Sequence, residues 1–169
     1  MSDYWDYSKA DKKFNDRVKE LTSMIGKMDC EKNTIIEVGI WKGTSSIAFS
    51  KHFKKVYSLD IVKSAIDNLN SKNIQNIEAI LRDDKTCDIF DDESIDVLYI
   101  DGDHSKEGVM TDLKELYPKI KKEGYISGHD YEGNNLNVKK AVIEFFGREP
   151  DMLVKSKTCK GCSNFIYKK

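Results

Sequence analysis

One pattern constrains this chain more than any other. Short β-branched runs that end on glycine or a carboxylate alternate with stretches of helical spacing. Residues 34–39 (T-I-I-E-V-G), 55–60 (K-V-Y-S-L-D), 77–81 (I-E-A-I-L), 96–101 (D-V-L-Y-I-D) and 124–130 (G-Y-I-S-G-H-D) read as strands. Such runs suit a pleated, buried surface and are too short for helices. Residues 44–53, 62–72, 109–120 and 137–146 carry helical composition. Upstream, Phe14, Val18, Leu21, Met24, Ile25 and Met28 recur at three- and four-residue steps, which makes one face of a helix. Residues 152–155 and 163–167 flank a tight turn and read as a hairpin. Strands alternating with helices of this length need βαβ crossovers and a mostly parallel sheet. The expectation is one doubly wound, Rossmann-like α/β domain over residues 1–169, with helices on both faces of seven strands. Residues 1–30 would form a helical segment, 34–147 the core and 151–169 the hairpin.

A chain of 169 residues has room for one such domain, with enough buried surface to need no covalent staple. Its 28 basic and 29 acidic residues give a net charge of −1, with a pI near 6.3. That balance lacks the basic footprint of a nucleic-acid binder. No apolar run approaches the roughly 18 residues of a membrane span. Asp3 and Asp6 in the head do not fit a secretory signal, so a cytoplasmic location is expected. Cys30 and Cys87 are isolated, whereas Cys159 and Cys162 form a lone C-x-x-C. With no second ligand pair nearby, that motif reads as a hairpin turn rather than half a zinc site or a redox pair.

In a doubly wound sheet, ligands bind at the carboxyl ends of the strands near the topological switch point. Those ends carry the unusual residues here. The first strand runs into Glu37-Val38-Gly39-Ile40-Trp41-Lys42-Gly43-Thr44-Ser45, the second ends on Asp60 and the third on Arg82-Asp83-Asp84. The fourth ends on Asp101-Gly102-Asp103-His104 and the fifth on Gly128-His129-Asp130. A single strand-end Asp is commonly a turn or cap residue, but five ends in succession favour a site. The G-x-x-x-G loop lacks the middle glycine of a dinucleotide fingerprint and the G-K-[ST] ending of a P-loop. An adenosine ligand without phosphates fits better, which makes S-adenosylmethionine the candidate.

Three segments, E-V-G-I-W-K-G-T-S, D-V-L-Y-I-D-G-D-H-S-K-E-G-V and G-Y-I-S-G-H-D-Y with N-V-K-K-A-V-I-E-F-F, carry a family resemblance. The chain resembles the class I S-adenosylmethionine-dependent methyltransferases from about residue 35 to 146. Within them it is similar to the small metal-dependent O-methyltransferase-like group that includes macrolide sugar O-methyltransferases and cephalosporin-hydroxylase-like proteins. The resemblance implies an antiparallel last strand. It implies that Glu37, Gly39 and Gly43 shape the pocket for the methionine end of the cofactor, with Thr44 and Ser45 beneath its carboxylate. Asp60 would bind the ribose hydroxyls and Asp84 the adenine amino group, although Asp83 stands where relatives place glycine. Asp101, flanking the cofactor, and Asp130 would hold a divalent cation, and His104 would be the catalytic base.

Carboxylates on neighbouring strand ends repel, and a hard cation relieves that repulsion. Mg²⁺ or Mn²⁺ is the expected ion. His129 beside Asp130 either ligates a softer metal or braces Asp130 by a hydrogen bond, since imidazole suits Mn²⁺, Fe²⁺ or Zn²⁺ better than Mg²⁺. Asp103 is a candidate to orient His104. The expected activity is metal-assisted O-methylation of a small hydroxylated acceptor such as a sugar. The alternatives are a nicotinamide-dependent oxidoreductase on a similar fold and a non-catalytic cofactor-binding module. The core carries almost no insertion, so its mouth is open to a small-molecule or glycan acceptor, or to a lid from a partner copy in a homo-oligomer.

Overall fold

Seven strands form one sheet whose order places the crossover at its centre. The computed structural model describes residues 12–133 and 136–169; the aromatic, acidic head with Tyr4, Trp5 and Tyr7 lies outside the described residues. The strands are β1 (Thr34–Val38), β2 (Lys55–Asp60), β3 (Ile77–Leu81), β4 (Ile95–Ile100), β5 (Ile120–Gly128), β6 (Met152–Lys155) and β7 (Ser163–Lys168). They lie in the order β3-β2-β1-β4-β5-β7-β6. β1 to β5 pair in parallel, and β7 runs antiparallel to both β5 and β6. The chain winds from β1 outward to β3, then crosses back to β4. The switch point therefore lies between β1 and β4, where a cleft opens above their carboxyl ends.

Strict alternation along the central strands feeds two cores. Ile36, Val38, Leu98, Ile100 and Ile126 point to the face covered by α4 (Lys106–Leu116) and α5 (Asn137–Phe146). Ile35, Val97, Tyr99 and Tyr125 point to the other face, under α1 (Lys12–Ile25) and α2 (Thr44–Ser50). Helix α3 (Lys63–Asn70) packs Ala65, Ile66 and Leu69 against Ile40. Each fully buried Leu or Ile contributes about 1.5–3 kcal/mol over an exposed one, so these layers outweigh any surface ion pair. The last two strands form the expected hairpin, with Cys159 and Cys162 in its turn, where, unlike the plain turn expected, the two are joined as a disulfide.

Several boundaries differ from the sequence reading by a few residues, and those of α4 have a local cause. The helical phase that includes Ile120 does not reach it: α4 ends at Leu116, and Ile120 opens β5. Pro118 is the reason, because it lacks the amide an α-helix would use, and the chain passes instead through a short 3-10 turn at Tyr117–Lys119. At the other end α4 begins at Lys106, ahead of its first apolar residue, because Ser105 Oγ accepts the Gly108 amide at 3.0 Å. No helix among the described residues is long and apolar enough to cross a membrane.

Candidate active site

The end of β1 sets the geometry of the cleft. Gly39 has φ +94°, and a Cβ there would lie 2.3 Å from the carbonyl oxygen of Asp101. Only glycine lets the end of β1 pass this close to β4. The loop then swings outward through Trp41, itself at φ +47° and 74% exposed, and returns at Gly43 to start α2. Trp41 lines the cleft rather than packing in the core. Asp60 holds this loop: its Oδ2 accepts the Ile40 and Trp41 amides at 2.8 and 3.3 Å, and its Oδ1 accepts the Val62 amide at 2.9 Å. This clamp is a role the sequence did not disclose.

The cleft has two connected parts. One, of about 930 Å³, is bordered by Asp60, Val62, Asp84 and Asp103. The other, of about 490 Å³, is bordered by Thr44, Ser45, Arg17, His104 and His129. Both share Gly39, Trp41, Lys42, Asp101 and Gly102, so they form one trough across the switch point. Asp84 stands exposed on its rim, whereas Asp83 is occupied by the Lys85 amide at 2.9 Å and the Thr86 hydroxyl at 2.9 Å. The Asp at the position that relatives give to glycine is thus a turn residue.

Glu37 lies fully buried beneath the floor. Ser46 and Ser58 donate to its Oε2 at 2.5 and 2.7 Å, and among the described residues its Oε1 has no hydrogen-bond partner. Burial raises its pKa to about 7, against the pull of the serine hydroxyls around it.

At the smaller end, the tips of β4 and β5 meet. His104 places Nε2 3.3 Å from Asp101 Oδ1 and Nδ1 3.4 Å from Asp130 Oδ2. His129 Nδ1 lies 3.1 Å from the same Asp130 oxygen and 3.9 Å from Asp101 Oδ1. The hydrogen bond to Asp101 raises the His104 pKa, and the hydrogen bond from His129 lowers that of Asp130. Asp130 sits at φ +57°, an uncommon backbone state for a non-glycine residue that directs its carboxylate into this cluster. Asp103 does not orient His104: its carboxylate takes the Ser105 amide and hydroxyl, both at 2.8 Å, as part of the α4 cap.

Helix α1 adds two residues that sequence reasoning passed over. Arg17 donates to Asp101 Oδ2 at 2.8 Å, to Glu20 Oε1 at 2.5 Å and to the Tyr99 hydroxyl at 2.5 Å. Glu20, only 1% exposed, also accepts from Asn164, Ser156 and the Lys157 amide. The available signal was their i,i+3 spacing on the face that carries Leu21 and Met24, since charges there must be paired.

The trough fits an elongated nucleoside such as S-adenosylmethionine: it is long, partly apolar and runs past the Gly39 bend, where the end of β1 lies close against β4. A divalent cation also has donors of the right kind. Ligand atoms of Asp101, His129 and Asp130 lie within 4.8 Å of one another. Among the described residues the buried His129 Nε2 has no hydrogen-bond partner, and it faces Glu20 Oε1 at 3.8 Å. An imidazole that ligates through Nδ1 carries its proton on Nε2, toward such a carboxylate.

Comparison with known proteins agrees with this architecture. A SAM-dependent methyltransferase from Aquifex aeolicus superposes with a TM-score of 0.71 at 16% identity, covering 95% of both chains. Phosphoethanolamine N-methyltransferase 1 of Haemonchus contortus, in complex with phosphoethanolamine and S-adenosylhomocysteine, gives 0.57 at 16% identity over 71% of this chain and 27% of its own. In sequence, the chain is 30% identical over 90 residues to a probable cobalt-precorrin-6B C(15)-methyltransferase (decarboxylating) of Methanococcus vannielii, 51% of this chain and 49% of the relative. The chain spans about half the length of the curated relatives it matches. A methyltransferase domain family matches residues 36–131, from the third residue of β1 to just past His129 and Asp130, which follow β5. By that match over more than half its length, the chain belongs to the methyltransferase domain family.

Proposed function

We propose that the protein transfers a methyl group from S-adenosylmethionine to a hydroxyl of a small acceptor such as a sugar or a glycan end, assisted by a divalent cation. The observation that carries this reading is the meeting of Asp101, His104, His129 and Asp130 beside a trough floored by the Gly39 bend. The family membership supports the methyl donor; the acceptor and the cation rest on the cluster.

S-adenosylmethionine, when bound, supplies an electrophilic methyl group on a sulfonium. Thr44 and Ser45 at the start of α2 face the end of the trough suited to its amino-acid part, and Asp60 and Asp84 border the end suited to its nucleoside. A divalent cation, when held by Asp101, His129 and Asp130, supplies charge that makes an acceptor hydroxyl more acidic. His104 stands half-buried at the mouth, where it can take the hydroxyl proton as the oxygen attacks the methyl carbon. Arg17 keeps one oxygen of Asp101 occupied, so Oδ1 is the oxygen that faces the cluster. Holding donor and acceptor in line supplies much of the acceleration.

Methyl transfer is tested by incubating the protein with labelled S-adenosylmethionine, a panel of hydroxylated sugars and either Mg²⁺ or Mn²⁺. Label appearing in an ether linkage, and lost on chelation of the metal, supports the reading. Transfer to nitrogen or carbon acceptors alone refutes O-methylation.

A further inference from the structure

A second donor set adjoins the first. The hairpin turn between β6 and β7 brings the sulfurs of Cys159 and Cys162 together, with Cα atoms 5.4 Å apart, and in this structure they are joined as a disulfide. Both sulfurs and a carboxylate oxygen of Asp130 lie within 4.8 Å of one another. Cys162 is buried, and Cys159 with Thr158 forms part of the wall of the smaller end of the cleft. The turn is fixed from three sides. Ser156 Oγ accepts the Thr158 and Cys159 amides at 3.2 Å, the Ser156 amide donates to the Cys162 carbonyl at 2.9 Å, and Glu20 accepts from Ser156 Oγ and the Lys157 amide. These contacts hold the turn through its backbone, apart from the bond between the sulfurs.

We propose that, once reduced, Cys159, Cys162 and Asp130 hold a soft divalent cation of the Zn²⁺ type, and that the disulfide closes this site. The chemistry of the donors argues for it. Two thiolates and one carboxylate select Zn²⁺ over Mg²⁺, and three protein ligands leave one position of a tetrahedral ion open. Binding displaces two thiol protons as the metal–sulfur bonds form. Closing the site removes two electrons from the pair, passes them to a small-molecule disulfide that leaves as two thiols, and forms the Cys159–Cys162 bond. Asp130 belongs to both donor sets, so a cation on the sulfurs and a cation on Asp101 and His129 compete for one carboxylate. The proposal rests on this juxtaposition and does not require the methyl-transfer reading.

The test uses the full chain reduced with a phosphine, which does not compete for the metal as a dithiol would. Co²⁺ titrated into the reduced protein should give a thiolate-to-cobalt charge-transfer band and the ligand-field bands of a tetrahedral ion, saturating at one equivalent. Competition with a chromophoric chelator then gives the Zn²⁺ affinity. The same protein oxidised with glutathione disulfide should show no band and should regain it on reduction, which keeps sequence and fold constant across the comparison. Asp130→Asn should weaken Zn²⁺ by about tenfold or more, and Cys159→Ser with Cys162→Ser should remove the band despite free Cys30 and Cys87. Absence of the band in the reduced wild type overturns the proposal. A Zn²⁺ affinity unchanged in Asp130→Asn overturns it as well. Titration of S-adenosylhomocysteine into the oxidised protein reports separately on the methyl-donor trough.

Discussion

Arg17 Nη2 stands 2.8 Å from Asp101 Oδ2, which joins the first helix to the tip of the central strand β4 across the mouth of the cleft. The same guanidinium pairs with Glu20, whose side chain is fully buried, and the three groups form one chain of charge. Arg17 therefore supports the fold as well as the site, because its removal takes the guanidinium from the buried Glu20 and leaves Asp101 only the neighbouring imidazoles as partners. Arg17→Met is expected to cost about 3–5 kcal/mol in urea denaturation. A loss below about 1 kcal/mol would show that Glu20 and Asp101 find other partners, and would detach α1 from the account of the site.

Glu37 makes stability depend on pH in an unusual direction. Its pKa is raised from the ordinary 4.5 to about 7 by burial, so the folded protein holds this proton more tightly than the unfolded chain. The stability it provides is complete below about pH 4.5 and is lost as pH rises through 7. The shift corresponds to on the order of 3 kcal/mol. Denaturation of ligand-free wild type and Glu37→Gln at pH 5 and pH 8 isolates it: the wild type should lose that much more on going to the higher pH. Parallel curves for the two proteins would mean that Glu37 is ionised at both.

His104 is the residue placed to accept the acceptor's proton. His104→Ala is expected to lower kcat by about 10²–10⁴-fold while leaving S-adenosylhomocysteine affinity unchanged. A variant that turns over at the wild-type rate would move the base elsewhere or dispense with one.

Gly39→Ala places a Cβ 2.3 Å from the Asp101 carbonyl oxygen at φ +94°. Backbone strain and overlap together should cost about 2–5 kcal/mol, and the end of β1 must shift away from β4. Calorimetric titration of the folded variant with S-adenosylhomocysteine should show binding weakened at least tenfold. Wild-type affinity with wild-type stability would mean that the bend is not the floor of the cofactor site.

Most of the architecture was legible because the strands here announce themselves. Residues 55–60, 77–81 and 152–155 coincide with β2, β3 and β6, and residues 137–146 with α5, because β-branched runs and helical spacing follow directly from burial on one or two faces. The end of α4 was misplaced where a valid helical phase at Ile120 was overruled by Pro118 two residues earlier. Asp101 and Asp130 meet across the tips of β4 and β5, and Asp60, Asp84 and Asp103 border the larger end of the cleft. What each one does locally was beyond one-dimensional pattern. Asp60 spends three contacts on the loop amides, Asp103 caps α4 and Asp83 closes a turn. An Asp at a strand end looks the same in sequence whether its oxygens face backbone or ligand. Arg17 and Glu20 were hidden for the same reason, since their partners Asp101, Tyr99 and Asn164 lie far along the chain.

The central claim is that the trough above β1 and β4 receives S-adenosylmethionine. Isothermal titration of the purified protein with S-adenosylmethionine, repeated with divalent cation and with NADH present, measures this directly. One saturable site per chain, undisturbed by NADH, is the predicted result. No heat of binding under any of these conditions, or displacement of the ligand by NADH, would contradict it.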